Sequence, residues 1–157
     1  MKLESKALKD YLHKQIPASK LLEVDVKSCS NLEVELVAPL APNINHKNTV
    51  FGGSLSVLAI LAGWSLLYMR LKGIRNEIVI QESSMSYLKA AVGEFYAIST
   101  YKESPQWEKF NRSFNKKGKG RIQVESNILC NGEVVATFRG TYVAFNKEFT
   151  SQNLEKK

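Results

Sequence analysis

A chain of 157 residues has the size of one ordinary domain and can bury roughly 70% of its unfolded surface in a single core. Hydrophobic residues at 44% and charged residues at 24% fit a folded soluble protein and exclude a disordered or fibrous one. The formal net charge of +7 points to anionic partners.

The opening "MKLESKALKD" is charged and lacks the apolar core of a signal peptide, so a cytoplasmic location is expected. Leu3, Ala7, Leu8, Tyr11 and Leu12 carry the spacing of a short amphipathic helix that ends before Pro17. Residues 21–28, "LLEVDVKS", and 32–38, "LEVELVA", alternate apolar and charged side chains, the pattern of strands with one wet face. The short "SCSN" between them predicts a hairpin. Cys29 and the distant Cys130 have no CxxC spacing and no histidine cluster beside them. Buried thiols in a reducing cytosol are expected, not a metal site or a nucleophile.

Residues 43–64 read "NINHKNTVFGGSLSVLAILAGW". No charge occurs from Asn48 to Met69, a length that would span a bilayer. Gly52, Ser56, Ala59 and Gly63 recur at spacings of 4, 3 and 4, which lines small side chains along one helical face. A helix apolar nearly all round, with one stripe of small groups, fits a helix wrapped closely by a sheet. No membrane span is therefore expected.

Next come "EIVIQESSMSYL" and "EFYAISTY", read as a strand pair turned at "KAAVG". Ser104-Pro105 opens a helix to about Phe114, with serine as cap and proline at the first helical position. "RIQVESNILC" and "EVVATFRGTYVAF" meet at Asn131-Gly132, a strong hairpin signal. No linker, repeat or low-complexity stretch intervenes, so residues 1–157 are read as one domain with its core at about 15–146. The pattern predicts an α+β fold, an antiparallel sheet of about six strands curled around a long central helix. Its edge strands and open helix flank suit a homodimer or a dimer of dimers.

These residues resemble a family. "FGGSLSVLAILAGW" is similar to the Gly-Gly helix start of hotdog-fold thioesterases. "MSYLKAAVGEFYA" resembles their strand-turn-strand, with Ala90 or Ala91 where proline is usual, and "FRGTYVAF" resembles their last strand. Within that superfamily the chain looks most like the thioesterase domain found alone or fused to bacterial GNAT acetyltransferases (YiiD C-terminal-domain-like), over about residues 15–146. The resemblance implies hydrolysis of an acyl-CoA or acyl-carrier-protein thioester, with coenzyme A present only as part of the substrate and no other cofactor.

The physical reading of the helix start agrees with that chemistry. Gly52-Gly53 allows unusual backbone angles and a close ligand, and the first N–H groups of a helix have no internal partner. A carbonyl aimed at the Gly53 N–H would gain hydrogen bonds as its oxygen becomes negative. The alternative is that the glycines only permit tight entry into the helix. His46 and Asn48 are the candidate catalytic partners, an imidazole to take a proton from water and an amide to orient it. The alternative is that Asn45 and Asn48 shape the loop and His46 lies in solvent. Asn45, Phe51, Gly52, Ser54 and Glu82 are candidate substrate-binding residues.

The chain also departs from the better-known pattern. Phe51 stands where histidine often precedes the Gly-Gly pair, and Ser54 to Met69 contains no carboxylate. Glu82 would have to serve across a dimer interface, or is simply an exposed strand residue. A non-catalytic acyl-CoA-binding module is the chief alternative, and a dehydratase is disfavoured by its incomplete His-plus-carboxylate pair. Residues 102–121 hold seven Lys or Arg against two Glu. Their end, "NKKGKGR", is expected to be a flexible basic loop in which Lys117, Lys119 and Arg121 meet the phosphates of coenzyme A or an acidic carrier protein. A solvated loop without a partner remains open, and nucleic acid is the weaker rival.

Overall fold

The computed structural model describes residues 2–149. In chain order the elements are α1 (Lys2–Gln15), α2 (Pro17–Leu21), β1 (Asp25–Cys29), β2 (Glu33–Ala38), a single 3-10 turn at Ala41–Asn43, and α3 (Gly52–Arg70). β3 (Asn76–Tyr87), β4 (Phe95–Thr100), α4 (Pro105–Lys117), β5 (Lys119–Cys130) and β6 (Glu133–Asn146) complete the chain. Six antiparallel strands form one sheet in the order β1-β2-β4-β5-β6-β3. The apolar side chains of its inner face and those of α3 share one core. This is the expected arrangement of a sheet curled around a long helix.

The strands form where polar and apolar residues alternate, and β5 alternates buried and exposed side chains almost without a break. The β5–β6 hairpin turns at Asn131 and Gly132, both at positive φ (52° and 78°), as a two-residue primed turn requires. Ser104 caps α4 by accepting the Trp107 N–H at 3.4 Å, with Pro105 opening the helix. Trp107, Phe110 and Phe114 are buried, so α4 packs its aromatic face inward.

Several expectations are corrected. The first strand starts at Asp25 rather than at residue 21, because Pro17 opens a further short helix, α2, whose last residue is Leu21. Leu8 and Leu12 of α1 are buried (2% and 0% exposed), so the packed core begins before residue 15. Leu32 lies in the hairpin turn and is exposed. The strands on either side of "KAAVG" are not neighbours: β3 pairs with β6 at the sheet edge, and β4 lies between β2 and β5. α3 starts at Gly52, four residues later than the uncharged run.

α3 is long and apolar enough to cross a bilayer, yet eleven of its nineteen residues are buried inside the protein. Small residues allow close contact with the sheet. Tyr142 of β6 donates its hydroxyl to the Ile60 carbonyl at 2.8 Å, and a Cβ on Gly63 would lie 2.6 Å from that hydroxyl oxygen. Ser126 of β5 donates to the Ala59 carbonyl at 3.2 Å and is bonded to the buried Ser99 hydroxyl. Cys29 and Cys130 are free and buried, and burial pushes the Cys29 thiol above its ordinary pKa.

Candidate active site at the start of the central helix

The entry to α3 is held by a short scaffold. Asn43, 2% exposed, donates from Nδ2 to the carbonyls of Leu22 (3.0 Å) and Pro39 (2.7 Å). Its own carbonyl accepts the Phe51 N–H at 2.7 Å, while the Val50 N–H reaches the Ala91 carbonyl at 2.8 Å. These bonds fix the chain immediately before the helix. Phe51 then occupies the cap position in extended conformation, and no side chain caps the helix. The Ser54 and Leu55 N–H groups both donate to the Phe51 carbonyl. The N–H groups of Gly52 and Gly53 have no partner among the described residues, as expected at a helix start.

The two glycines are flanked by aromatic rings. The Tyr87 hydroxyl donates to the Gly52 carbonyl at 3.2 Å, and the Phe51 ring lies where a Gly53 side chain would stand. A shallow hollow beside them is lined by Val50, Gly52, Leu55, Tyr87, Leu88 and Ala91. Ser54 is buried, one residue beyond the free N–H pair. Tyr87 and Asn43 were not singled out from the sequence. Asn43 sits in "APNIN" with nothing to mark its burial, and Tyr87 reaches the site only through sheet pairing.

Asn45 shapes the polar loop. Its Nδ2 donates to Thr49 Oγ1 (2.9 Å) and the Val50 carbonyl (3.3 Å), and its Oδ1 accepts from the Lys47 (2.8 Å) and Thr49 (3.2 Å) N–H groups. Asn48 takes a left-handed backbone (φ 57°), which asparagine tolerates well. Both His46 and Asn48 are exposed, and no hydrogen bond links either side chain to Gly52 or Gly53 among the described residues. Glu82 is exposed on β3 beside an irregularity between Ile80 and Glu82. It lies five residues from Tyr87, roughly 16 Å along a strand.

The basic cluster is not a flexible loop. Lys116 and Lys117 end α4, and Gly118 (φ 65°) caps it by donating its N–H to the Phe114 carbonyl. Lys119 and Arg121 already belong to β5. Lys109, Lys117, Lys119 and Arg121 line one open groove between α4 and the sheet. Lys119 pairs with Phe145, and Phe145 with Glu77, at the far end of β3 from Tyr87. Within one chain Lys119 is therefore roughly 30 Å along the strands from the Tyr87 end, while the near side of the groove at Thr141 is level with Glu82. No group of three His, Cys, Asp or Glu side chains among the described residues is placed to hold a metal ion.

The family model described as "Putative thioesterase (yiiD_Cterm)" matches residues 5–146. A Chlorobaculum tepidum protein of unknown function superposes with a TM-score of 0.84 at 30% identity, covering 91% of this chain and 94% of that one. The "putative thioesterase" of Shewanella oneidensis gives 0.82 at 26% identity, covering 92% and 99%. A Pseudomonas aeruginosa protein described as a probable thioesterase shares the fold at a TM-score of 0.78 and 20% identity, covering 90% and 95%. The chain belongs to this thioesterase family and has the hotdog fold.

Proposed function

From membership of that family, we propose that the chain hydrolyses fatty-acyl thioesters of coenzyme A or of an acyl carrier protein at the start of α3. The observation that carries this reading is the pair of unpartnered N–H groups at Gly52 and Gly53, beside an open hollow and at the positive end of a nineteen-residue helix. The thioester carbonyl accepts hydrogen bonds there. Water adds to its carbon, the negative charge on oxygen is held by the N–H groups, and collapse breaks the C–S bond. The thiolate leaves and is protonated as the free thiol, and the other product is the carboxylic acid. One such donor is worth roughly 2.7–4 kcal/mol of barrier. His46 is proposed to accept the water's proton and pass it to the departing thiolate, and Asn48 to hold the water.

A second copy completes this reading. β3 ends the sheet, and no strand among the described residues pairs with its outer edge. Antiparallel pairing of β3 with the same strand of a partner is self-complementary. It would set the Glu77 end of one copy beside the Tyr87 end of the other. Lys119 of one protomer would then stand three strand spacings, roughly 15 Å within the sheet, from the partner's Tyr87, and the phosphates of a bound coenzyme A are proposed to reach it. A homodimer therefore unites two features that a single chain holds apart.

A non-catalytic acyl-CoA-binding module remains the second reading. It is favoured by the absence of any carboxylate from Ser54 to Met69 and by the distance of Glu82 from the glycines. The deciding experiment follows thiol release from a panel of acyl-CoAs by wild type, His46→Ala and Asn48→Ala. Turnover by the wild type that falls at least tenfold in folded variants supports hydrolysis at this loop. Binding without thiol release would support the module.

A further inference from the structure

The side of α3 left uncovered by the sheet is graded in size. Its half-buried residues are Gly52, Gly53, Ser56, Val57, Ile60, Trp64 and Tyr68, at the three- and four-residue spacing of one helical face. The flank begins at the unpartnered N–H groups with glycine and serine, widens to valine and isoleucine, and ends in two aromatic rings. Those rings are fixed. Trp64 donates its indole N–H to the Ile78 carbonyl of β3 at 3.0 Å. It stacks on Tyr68 at a centroid distance of 5.1 Å, and Tyr11 from α1 stacks on both at 6.0 and 4.8 Å. Three elements thus converge to close one end of a flank that is open at the other.

We propose that Trp64, backed by Tyr11 and Tyr68, is the stop that sets the longest acyl chain this site accepts. The inference rests on the thioesterase reading above. Its occupant is the acyl chain because the flank is continuous with the carbonyl-binding end and carries no charge from Ser54 to Met69. From Gly53 to Trp64 the helix rises by roughly 16 Å, and a helical side chain covers the turn before its own position, leaving about 11 Å. With C–C bonds of about 1.5 Å at tetrahedral angles, an extended alkyl chain advances roughly 1.3 Å per carbon. The flank therefore measures acyl chains of about eight to ten carbons.

The test is the dependence of kcat/KM on acyl length from four to sixteen carbons, in wild type, Trp64→Ala and Ile60→Trp. Wild type is expected to fall sharply beyond about ten carbons. Trp64→Ala should raise the ratio for long over eight-carbon chains by about tenfold or more, the scale on which pockets discriminate methylenes. Ile60→Trp, which moves the stop one turn toward the mouth, should shorten the accepted chain by roughly four carbons. If thiol is released but both folded variants keep the wild-type profile, the stop is wrong while the thioesterase reading stands. If no chain length is cleaved, that reading fails. The stop is then judged by the binding of uncleavable S-alkyl coenzyme A thioethers over the same lengths. A changed oligomeric state in Ile60→Trp, with the length profile unchanged, would show that a second copy covers this flank and would overturn the proposal.

Discussion

Gly53 and Gly63 lie on the same helix and each faces an aromatic ring, but the two rings do different work. At Gly63 the ring is Tyr142, fully buried and tied by its hydroxyl to the Ile60 carbonyl. At Gly53 it is Phe51, 57% exposed and without a stacking partner among the described residues. A Cβ at Gly63 meets something that cannot retreat, whereas a Cβ at Gly53 meets the free end of a side chain in solvent. One glycine is therefore required by packing. The other keeps a main-chain surface accessible, and no single sequence pattern separates the two.

Gly63→Ala should have the largest effect. The added methyl would stand 2.6 Å from the Tyr142 hydroxyl oxygen and 3.0 Å from the ring carbon bearing it, and overpacking of this kind costs about 1–3 kcal/mol, of which alanine's better helix propensity returns up to about 1 kcal/mol. Denaturant unfolding should show it, and a loss under 0.5 kcal/mol would break the contrast.

Tyr142→Phe comes next, at about 1 kcal/mol for the lost hydrogen bond. The hydroxyl it removes is also what obstructs Gly63→Ala, so the double variant should be more stable than the sum of the two losses predicts. Burial holds the Tyr142 hydroxyl far above its ordinary pKa of 10.0. The folded form therefore keeps its proton at pH values where the unfolded chain loses it. Stability is unaffected by this group below pH 10 and falls above it, and Tyr142→Phe should flatten that alkaline decline.

Gly53→Ala should be nearly neutral in stability, since alanine favours the helix by about 1 kcal/mol and only an exposed ring must move. Thiol release should nevertheless fall, by about tenfold, because the methyl crowds the approach to the free N–H groups. Phe51→Ala is expected to be the mildest, within about 0.5 kcal/mol of wild type. A large stability loss at either position would mean that the helix start is packed like Gly63.

The same contrast explains what could be read from the sequence. Period-two alternation exposed most strands, Asn131-Gly132 exposed a hairpin, and Ser104-Pro105 exposed α4, because each signal is local. The placement of β3 beside β6 depends on residues about sixty positions apart, so "KAAVG" looked like a hairpin turn. "NKKGKGR" looked mobile because its glycines and lysines suggest a loop. Gly118 is in fact a helix cap, and Gly120 sits against Phe110 within β5. At the site, the Gly-Gly pair and the polar loop were visible by composition. The roles of Asn43 and Tyr87 were not, since both arise from contacts made only when the sheet is assembled.

That late assembly matters while the chain is being made. α3 and β3 are complete by residue 87, yet the strand that receives β3 ends at Asn146. At typical ribosomal speeds of about 5–20 residues per second, the intervening residues take roughly 3–12 seconds to appear. Throughout that interval a helix whose one charge is its last residue, Arg70, and an unpaired twelve-residue strand wait without their full cover, a state prone to self-association. The newborn chain is therefore most exposed to self-association just before β6 emerges, and truncations ending between residues 88 and 132 should aggregate rather than fold.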